Sequence, residues 1–167
     1  MKKILVPVDF SSATESVLAV AREVATAFDA ELHLLHVREI ATVPVFPAAT
    51  AGYPGIGMPE MSVNAGSPAA AAEVAGIAVP NEREKTQLES LRRDLSERGL
   101  RVLAEEREGT VVAEILRAAA EIPADLIVMG SHGHGSVYNL LVGSVTEGVL
   151  KAGRYRTLLV PAPAAAK

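Results

Sequence analysis

A short apolar run that stops at a series of glycines constrains this chain most. Asp125-Leu126-Ile127-Val128-Met129 is rich in β-formers and reads as a buried strand. Glycines follow at 130, 133, 135 and 143, where backbone N–H groups can approach and converge on a bulky anion. Ser144-Val145-Thr146-Glu147 then has the form of a capping box. A helix is therefore expected to begin there, its free N–H groups and positive dipole end turned toward the same anion. Strand, glycine loop and helix start together read as a phosphate cradle. The plainer alternative is a strand-to-helix connection whose glycines only serve tight turns.

The rest of the chain alternates strands with helices. Ile4 to Val8 is a short, fully apolar strand, after which Asp9 with Ser11 or Ser12 offers a helix N-cap. Val17, Leu18, Ala21, Val24, Ala25 and Phe28 then recur at helical spacing and are expected on the core face. Glu31 to Val37 is a second strand with little polar alternation, as a parallel sheet covered on both faces requires. A helix is expected from Asn81 through Arg98, with Leu88, Leu91 and Leu95 on one face and Gly99 as its stop. Leu100 to Ala104 reads as a third strand near an edge. Thr110 is placed to cap a helix over Val111, Ile115, Leu116 and Ala119. Asp125 to Met129 is the fourth strand, Ser144 to Lys151 the last helix with Gly153 as its stop, and Thr157 to Val160 the fifth strand. Five strands and four helices in alternation predict a parallel α/β sandwich with right-handed crossovers, and leave the strand order open.

At 167 residues, 49% of them hydrophobic, the chain is expected to form one domain with a full core. Its formal net charge of −4 is spread over both halves without a basic tract, which argues against nucleic acid or an acidic membrane surface as the main partner. The absence of cysteine removes disulfides, thiolate nucleophiles and cysteine-ligated metals, and agrees with a reducing compartment. Lys2-Lys3 before an apolar run could suggest a signal peptide, but Asp9 interrupts that run after five residues. A cytoplasmic location is the expectation.

The glycine spacing is G-x2-G-x9-G-S, met by Gly130, Gly133, Gly143 and Ser144. A P-loop would need a lysine before the final Ser or Thr, and none lies between Gly130 and Ser144. A dinucleotide site would need a glycine where Tyr138 stands. The pattern resembles the nucleotide loop of the universal stress proteins of the ATP-binding class. The likeness extends over Met1 to Val37, including Lys3 to Ser11, and over Leu100 to Pro161.

That resemblance implies a five-stranded sheet of order 3-2-1-4-5 with helices on both faces, an adenine-nucleotide alpha-hydrolase-like, Rossmann-like fold. In such an order the winding reverses between the first and fourth strands, and ligands bind in the crevice beyond their carboxyl ends. Asp9 and the glycine loop then become neighbours. The resemblance names the ligand as ATP, or ADP or AMP, with magnesium carried on the phosphates. It assigns Gly130, Gly133, Gly143, Ser144 and Val145 to ribose and phosphates, and Pro7, Val8 and Asp9 to the nucleoside end. By the same carry-over the Val37 backbone meets the adenine edge and Met129 lies against base or sugar. Asp9 could equally be a helix cap, Ser144 could combine capping with phosphate contact, and Val37 and Met129 could be plain core residues.

His132 and His134 form a weak metal signal, with no cysteine and no acidic residue close by in sequence. The family often has a basic residue at position 134, so His134 is a candidate side-chain cation over the phosphates, with His132 beside it. His33 and His36 sit in a strand and read as packing residues. Without a loop lysine or arginine, the site suits holding ATP more than cleaving it, because fast hydrolysis needs a group to stabilise transition-state charge. The expected role is a nucleotide-dependent regulatory or stress-response protein with slow or no ATP hydrolysis. Two alternatives stand beside it: an adenylating or ATPase enzyme on the same fold, and a nucleotide-free dimeric module.

Between about residues 38 and 80 the chain is an insertion of Ala, Pro, Gly, Val and Met, with a short helix expected after Ser67-Pro68. It could be a linker, a lid over the nucleotide, or a segment buried in a partner protein. The fifth strand is an apolar edge in the implied order, and the family dimerises through it, so a homodimer through Thr157 to Val160 is expected. Arg156-Thr157 stands where relatives often have Cys-Pro or Ser-Pro.

Overall fold

A computed structural model describes residues 1–39, 82–131 and 142–161. The chain order is β1 (Lys3–Val8), α1 (Thr14–Phe28), β2 (Glu31–Arg38), α2 (Glu82–Glu97), β3 (Val102–Glu108), α3 (Val111–Glu121), β4 (Leu126–Gly130), α4 (Ser144–Ala152) and β5 (Thr157–Val160). The five strands form one sheet of order β3-β2-β1-β4-β5, and every pairing is parallel. The body of the insertion, with the short helix expected after Ser67-Pro68, lies outside the described residues, as does the end of the chain after Pro161.

Alternation along the strands divides the core in two. Ile4, Val6 and Val8 of β1, Leu32 and Leu34 of β2 and Val128 of β4 face α1 and α2, where they meet Val17, Leu18, Ala21, Leu88 and Leu95. The intervening residues Leu5, Leu35, Val37, Ile127 and Met129 face α3 and α4 and meet Ile115, Ala118, Ala119 and Val149. Both faces of the three central strands are thus covered, which is why their sequences are near-continuous apolar runs. The two helices that carry the chain toward β3 lie on one face and the two that carry it toward β5 on the other, as right-handed crossovers require.

Three expectations need correcting. The third strand is Val102–Glu108, starting two residues and ending four residues further along than the apolar run suggested. Its charged second half is tolerated because β3 is an edge strand: Arg107 pairs with Glu105 at 2.7 Å and with Glu121 of α3 at 2.5 Å, and Arg38 of β2 pairs with Glu108. Arg38 continues β2 and does not open the insertion. Phe28, expected on the core face of α1, is 55% exposed, because the helix ends there and Asp29 turns the chain away in a left-handed conformation.

Candidate functional site

The winding of the sheet reverses between β1 and β4, and the backbone there opens a crevice. Lys2 O accepts from Glu31 N at 2.8 Å and Lys3 O from Asp125 N at 2.9 Å. Hydrogen-bonding groups of even-numbered residues along β1 therefore point at β2, and those of odd-numbered residues at β4. Pro7 falls on the β4 side, where it has no N–H to give. Pairing of β1 with β4 covers only Ile4–Leu126 and Leu5–Ile127, whereas pairing with β2 continues to Val8–His36. Beyond Leu5 the two central strands are no longer bonded to each other, and their ends at Val8 and Gly130 flank the gap.

From the β1 side, the chain enters a tight turn. Asp9 is exposed; its Oδ1 accepts from Ser11 N at 3.0 Å and from the Thr14 hydroxyl at 3.3 Å. Ser11 Oγ in turn accepts from Ala13 N at 3.3 Å. The N-cap position of α1 is Ala13, with no side-chain cap, so Asp9, Ser11 and Ser12 are not the cap residue; Asp9 braces the preceding turn instead. Phe10 has φ +56°, a left-handed conformation that costs a non-glycine residue about 1–3 kcal/mol and persists only where its surroundings impose it.

From the β4 side, a relay of backbone bonds sets the start of α4. Ser131 N donates to Val160 O at 2.8 Å, and Gly143 N donates to Ser131 O at 2.9 Å. The Thr146 hydroxyl, 3% exposed, donates to Gly130 O at 2.9 Å and fastens the first helical turn to the end of β4. Gly143 is the N-cap, with φ −58° and ψ 150°, and Ser144 is already helical. The capping box is therefore not formed. Ser144 has no capping bond, and Glu147 pairs with Lys151 one turn on, at 2.6 Å. Among the described residues no acceptor serves the amides of Ser144, Val145 or Thr146 at the positive end of the helix dipole.

Val37 and Met129 are both buried in the core that faces α3 and α4, and Val145 packs against that core. Val8 is buried on the opposite face, and Pro7 is half-buried. Pro7, Val8 and Asp9 thus lie at one lip of the crevice, and Met129, Gly130, Gly143, Ser144 and Val145 at the other. His132, Gly133 and His134 lie outside the described residues. No group of three acidic or histidine side chains among the described residues could hold a metal ion. Two residues of the site escaped the sequence. In the sequence Thr146 stands only as the middle of a cap motif, and His36, expected as a packing residue, bonds the end of β1 through its ring: Nδ1 lies 2.9 Å from Val8 O.

Comparison with known proteins agrees with this architecture. The model of the universal stress protein family matches residues 1–161. The chain belongs to that family. Universal stress protein MJ0577 of Methanocaldococcus jannaschii is 32% identical over 165 residues, spanning 95% of this chain and 94% of that protein. Its solved structure superposes with a TM-score of 0.71 at 27% identity, covering 98% of each chain. The universal stress protein UspA from Lactobacillus plantarum shares the fold at a TM-score of 0.68 and 22% identity, covering 95% of this chain and 97% of that one. At 20% and 18% identity, universal stress proteins solved in complex with cAMP and, from Archaeoglobus fulgidus, with dAMP also share the fold, with TM-scores of 0.61 and 0.57. This universal stress protein thus has the family's order of strands, with the glycine motif placed between β4 and α4.

Proposed function

We propose that this universal stress protein binds ATP in the crevice between β1 and β4 and serves as a nucleotide-dependent regulatory protein. The observation that carries this reading is the uncapped start of α4. Three amides with no acceptor among the described residues stand where the glycine loop ends, on a helix fastened to β4 by the Thr146–Gly130 bond. Bare helix N-termini of this kind are suited to phosphate oxygens, which the positive dipole end favours. Phosphates would meet Gly130, Gly133, Gly143, Ser144 and Val145. The nucleoside would lie toward Pro7, Val8 and Asp9, with Val37 and Met129 beneath the base and sugar. The histidines at 132 and 134 belong to the same loop, and His134 would supply positive charge over the phosphates.

Magnesium, when bound with ATP, supplies neutralisation of phosphate charge. The chain's own share is to orient the phosphates by fixed amides. The loop from Gly130 to Ser144 carries no lysine or arginine to stabilise charge developing in a transition state, which favours retention of ATP over rapid hydrolysis. Two chains would associate through β5, so that a conformational response to nucleotide is shared between copies.

Mass spectrometry of small molecules released from denatured purified protein, followed by calorimetric titration with ATP, tests the reading. Adenine nucleotide in the released fraction, or saturable binding with slow phosphate release, is expected. Saturating ATP without heat or thermal shift would contradict it, and stoichiometric pyrophosphate release would identify an adenylating enzyme instead.

A further inference from the structure

His36 is 7% exposed and lies where three elements meet. A carbonyl oxygen only accepts, so the 2.9 Å contact between Nδ1 and Val8 O requires the ring proton on Nδ1. Nε2 lies 3.4 Å from Glu84 Oε2 in the first turn of α2, a buried oxygen that makes no hydrogen bond. The face of the ring carries Phe10, with centroids 4.6 Å apart and planes tilted by 43°. One imidazole therefore touches the last residue of β1, the strained residue of the following turn and the start of α2.

We propose that His36 is a positioning residue for the crevice: by clamping the Val8 carbonyl toward β2 and backing the Phe10 ring, it holds the β1–α1 turn in the conformation that presents Asp9. The nucleotide part of this inference rests on the reading of the site given above; the positioning of the turn does not. Val8 is the last residue of β1, and Pro7 supplies no N–H toward β4, so among the described residues strand pairing at this end runs to β2 only. Phe10 at φ +56° tends to relax, and the contacts that oppose relaxation include its ring against His36, its packing against the core that faces α1 and α2, and the bonds from Ser11 N and the Thr14 hydroxyl to Asp9 Oδ1. Without the imidazole the carbonyl loses its clamp and Phe10 its support. Asp9 then moves with them, because it lies between the two.

Three variants separate the polar role of the ring from its bulk. His36→Asn keeps a donor where Nδ1 stands, His36→Gln moves the amide toward the place of Nε2, and His36→Leu fills the space with no polar atom. Amide hydrogen exchange is read at Ser11, Ala13 and Thr14 in nucleotide-free protein, and ATP affinity by calorimetry. The Leu and Gln variants should exchange at least tenfold faster in the turn and bind ATP at least tenfold more weakly, with exchange in α3 and α4 unchanged. The Asn variant should recover most of both. Equal behaviour of the Asn and Leu variants, or a turn that exchanges as in the parent for all three, overturns the proposal. If the parent protein binds no ATP, the nucleotide reading fails while exchange in the turn still decides the role of His36. Nitrogen-15 spectra of the parent give a result that needs no variant: the ring proton belongs on Nδ1, and a proton on Nε2 alone would refute the clamp.

Discussion

At the scale of single residues, one substitution at the start of α4 should have opposite signs of effect on stability and binding. Ser144 is exposed and helical at the uncapped start of α4. Replacing it with Asp places a negative charge at the positive dipole end, worth about 0.3–1 kcal/mol of stabilisation. In the proposed site the same carboxylate would occupy the place of phosphate oxygens. Ser144→Asp is therefore expected to keep or raise the melting temperature while weakening ATP at least tenfold; a parallel rise or fall in both would show that residue 144 is not at the phosphates. At the opposite end of the sheet, Asp125 Oδ2 accepts from Lys2 N at 2.6 Å and Lys3 N at 3.1 Å. Those two amides, Lys2 first, hold its carboxyl below the usual carboxylate value. A depressed folded-state value contributes stability above the unfolded value and loses it as pH falls through the folded one. The advantage of the parent over Asp125→Asn should thus be full near neutrality and vanish below the ordinary carboxylate range of about pH 4. An advantage independent of pH in thermal melts would contradict this.

At the scale of elements, the site depends on how α4 is docked. Thr146→Val keeps shape but removes the hydroxyl from Gly130 O, and leaving that carbonyl without its donor should cost about 1–3 kcal/mol. ATP should weaken with it, because the start of α4 is released from β4. Gly148 lies at the crossing of α3 and α4, where an added Cβ would stand 2.8 Å from Val112 Cγ2. Alanine is the better helix former by about 1 kcal/mol, yet overpacking of about 1–3 kcal/mol should make Gly148→Ala neutral to destabilising. Val112→Ala in the same chain should relieve the clash, seen as favourable coupling in a double-mutant cycle. A stabilised single variant would mean that the helices yield easily.

These elements also show what local sequence could and could not disclose. The central strands were legible because burial on both faces leaves unbroken apolar runs such as Ile4 to Val8 and Leu126 to Met129. The end of β3 was not, since Glu105 to Glu108 are a strand only by virtue of pairing with Arg38, Arg107 and β2. Ser144 has the composition of a cap, but Gly143, held by the bond from its N to Ser131 O, takes the cap position and the helix begins a residue earlier than the motif implies. His36 was beyond reach for a different reason. Its partners lie 28 residues upstream at Val8 and in α2 at Glu84, and nothing local marks that meeting.

For the whole molecule, the two edges of the sheet differ in kind. β3 ends in Glu105, Glu106, Arg107 and Glu108, charges that discourage pairing with another chain, whereas β5 is Thr157-Leu158-Leu159-Val160 with no charge at all. Arg156 O and Val160 O serve β4, so by alternation the amide of Leu159 points away from it, toward the open edge. Leu159→Pro should remove that outward donor while sparing the β4 ladder, and shift a dimer to monomer in sedimentation with secondary structure retained; a dimer that persists would place the interface elsewhere.

The central claim is that backbone amides at the start of α4 hold the phosphates of a nucleotide. Nitrogen-15 amide spectra of the protein, recorded during titration with ATP and separately with adenosine, test it most directly. The resonances of Ser144, Val145 and Thr146 should move strongly with ATP and little with adenosine. Saturation by ATP that leaves those three amides unmoved would contradict the account.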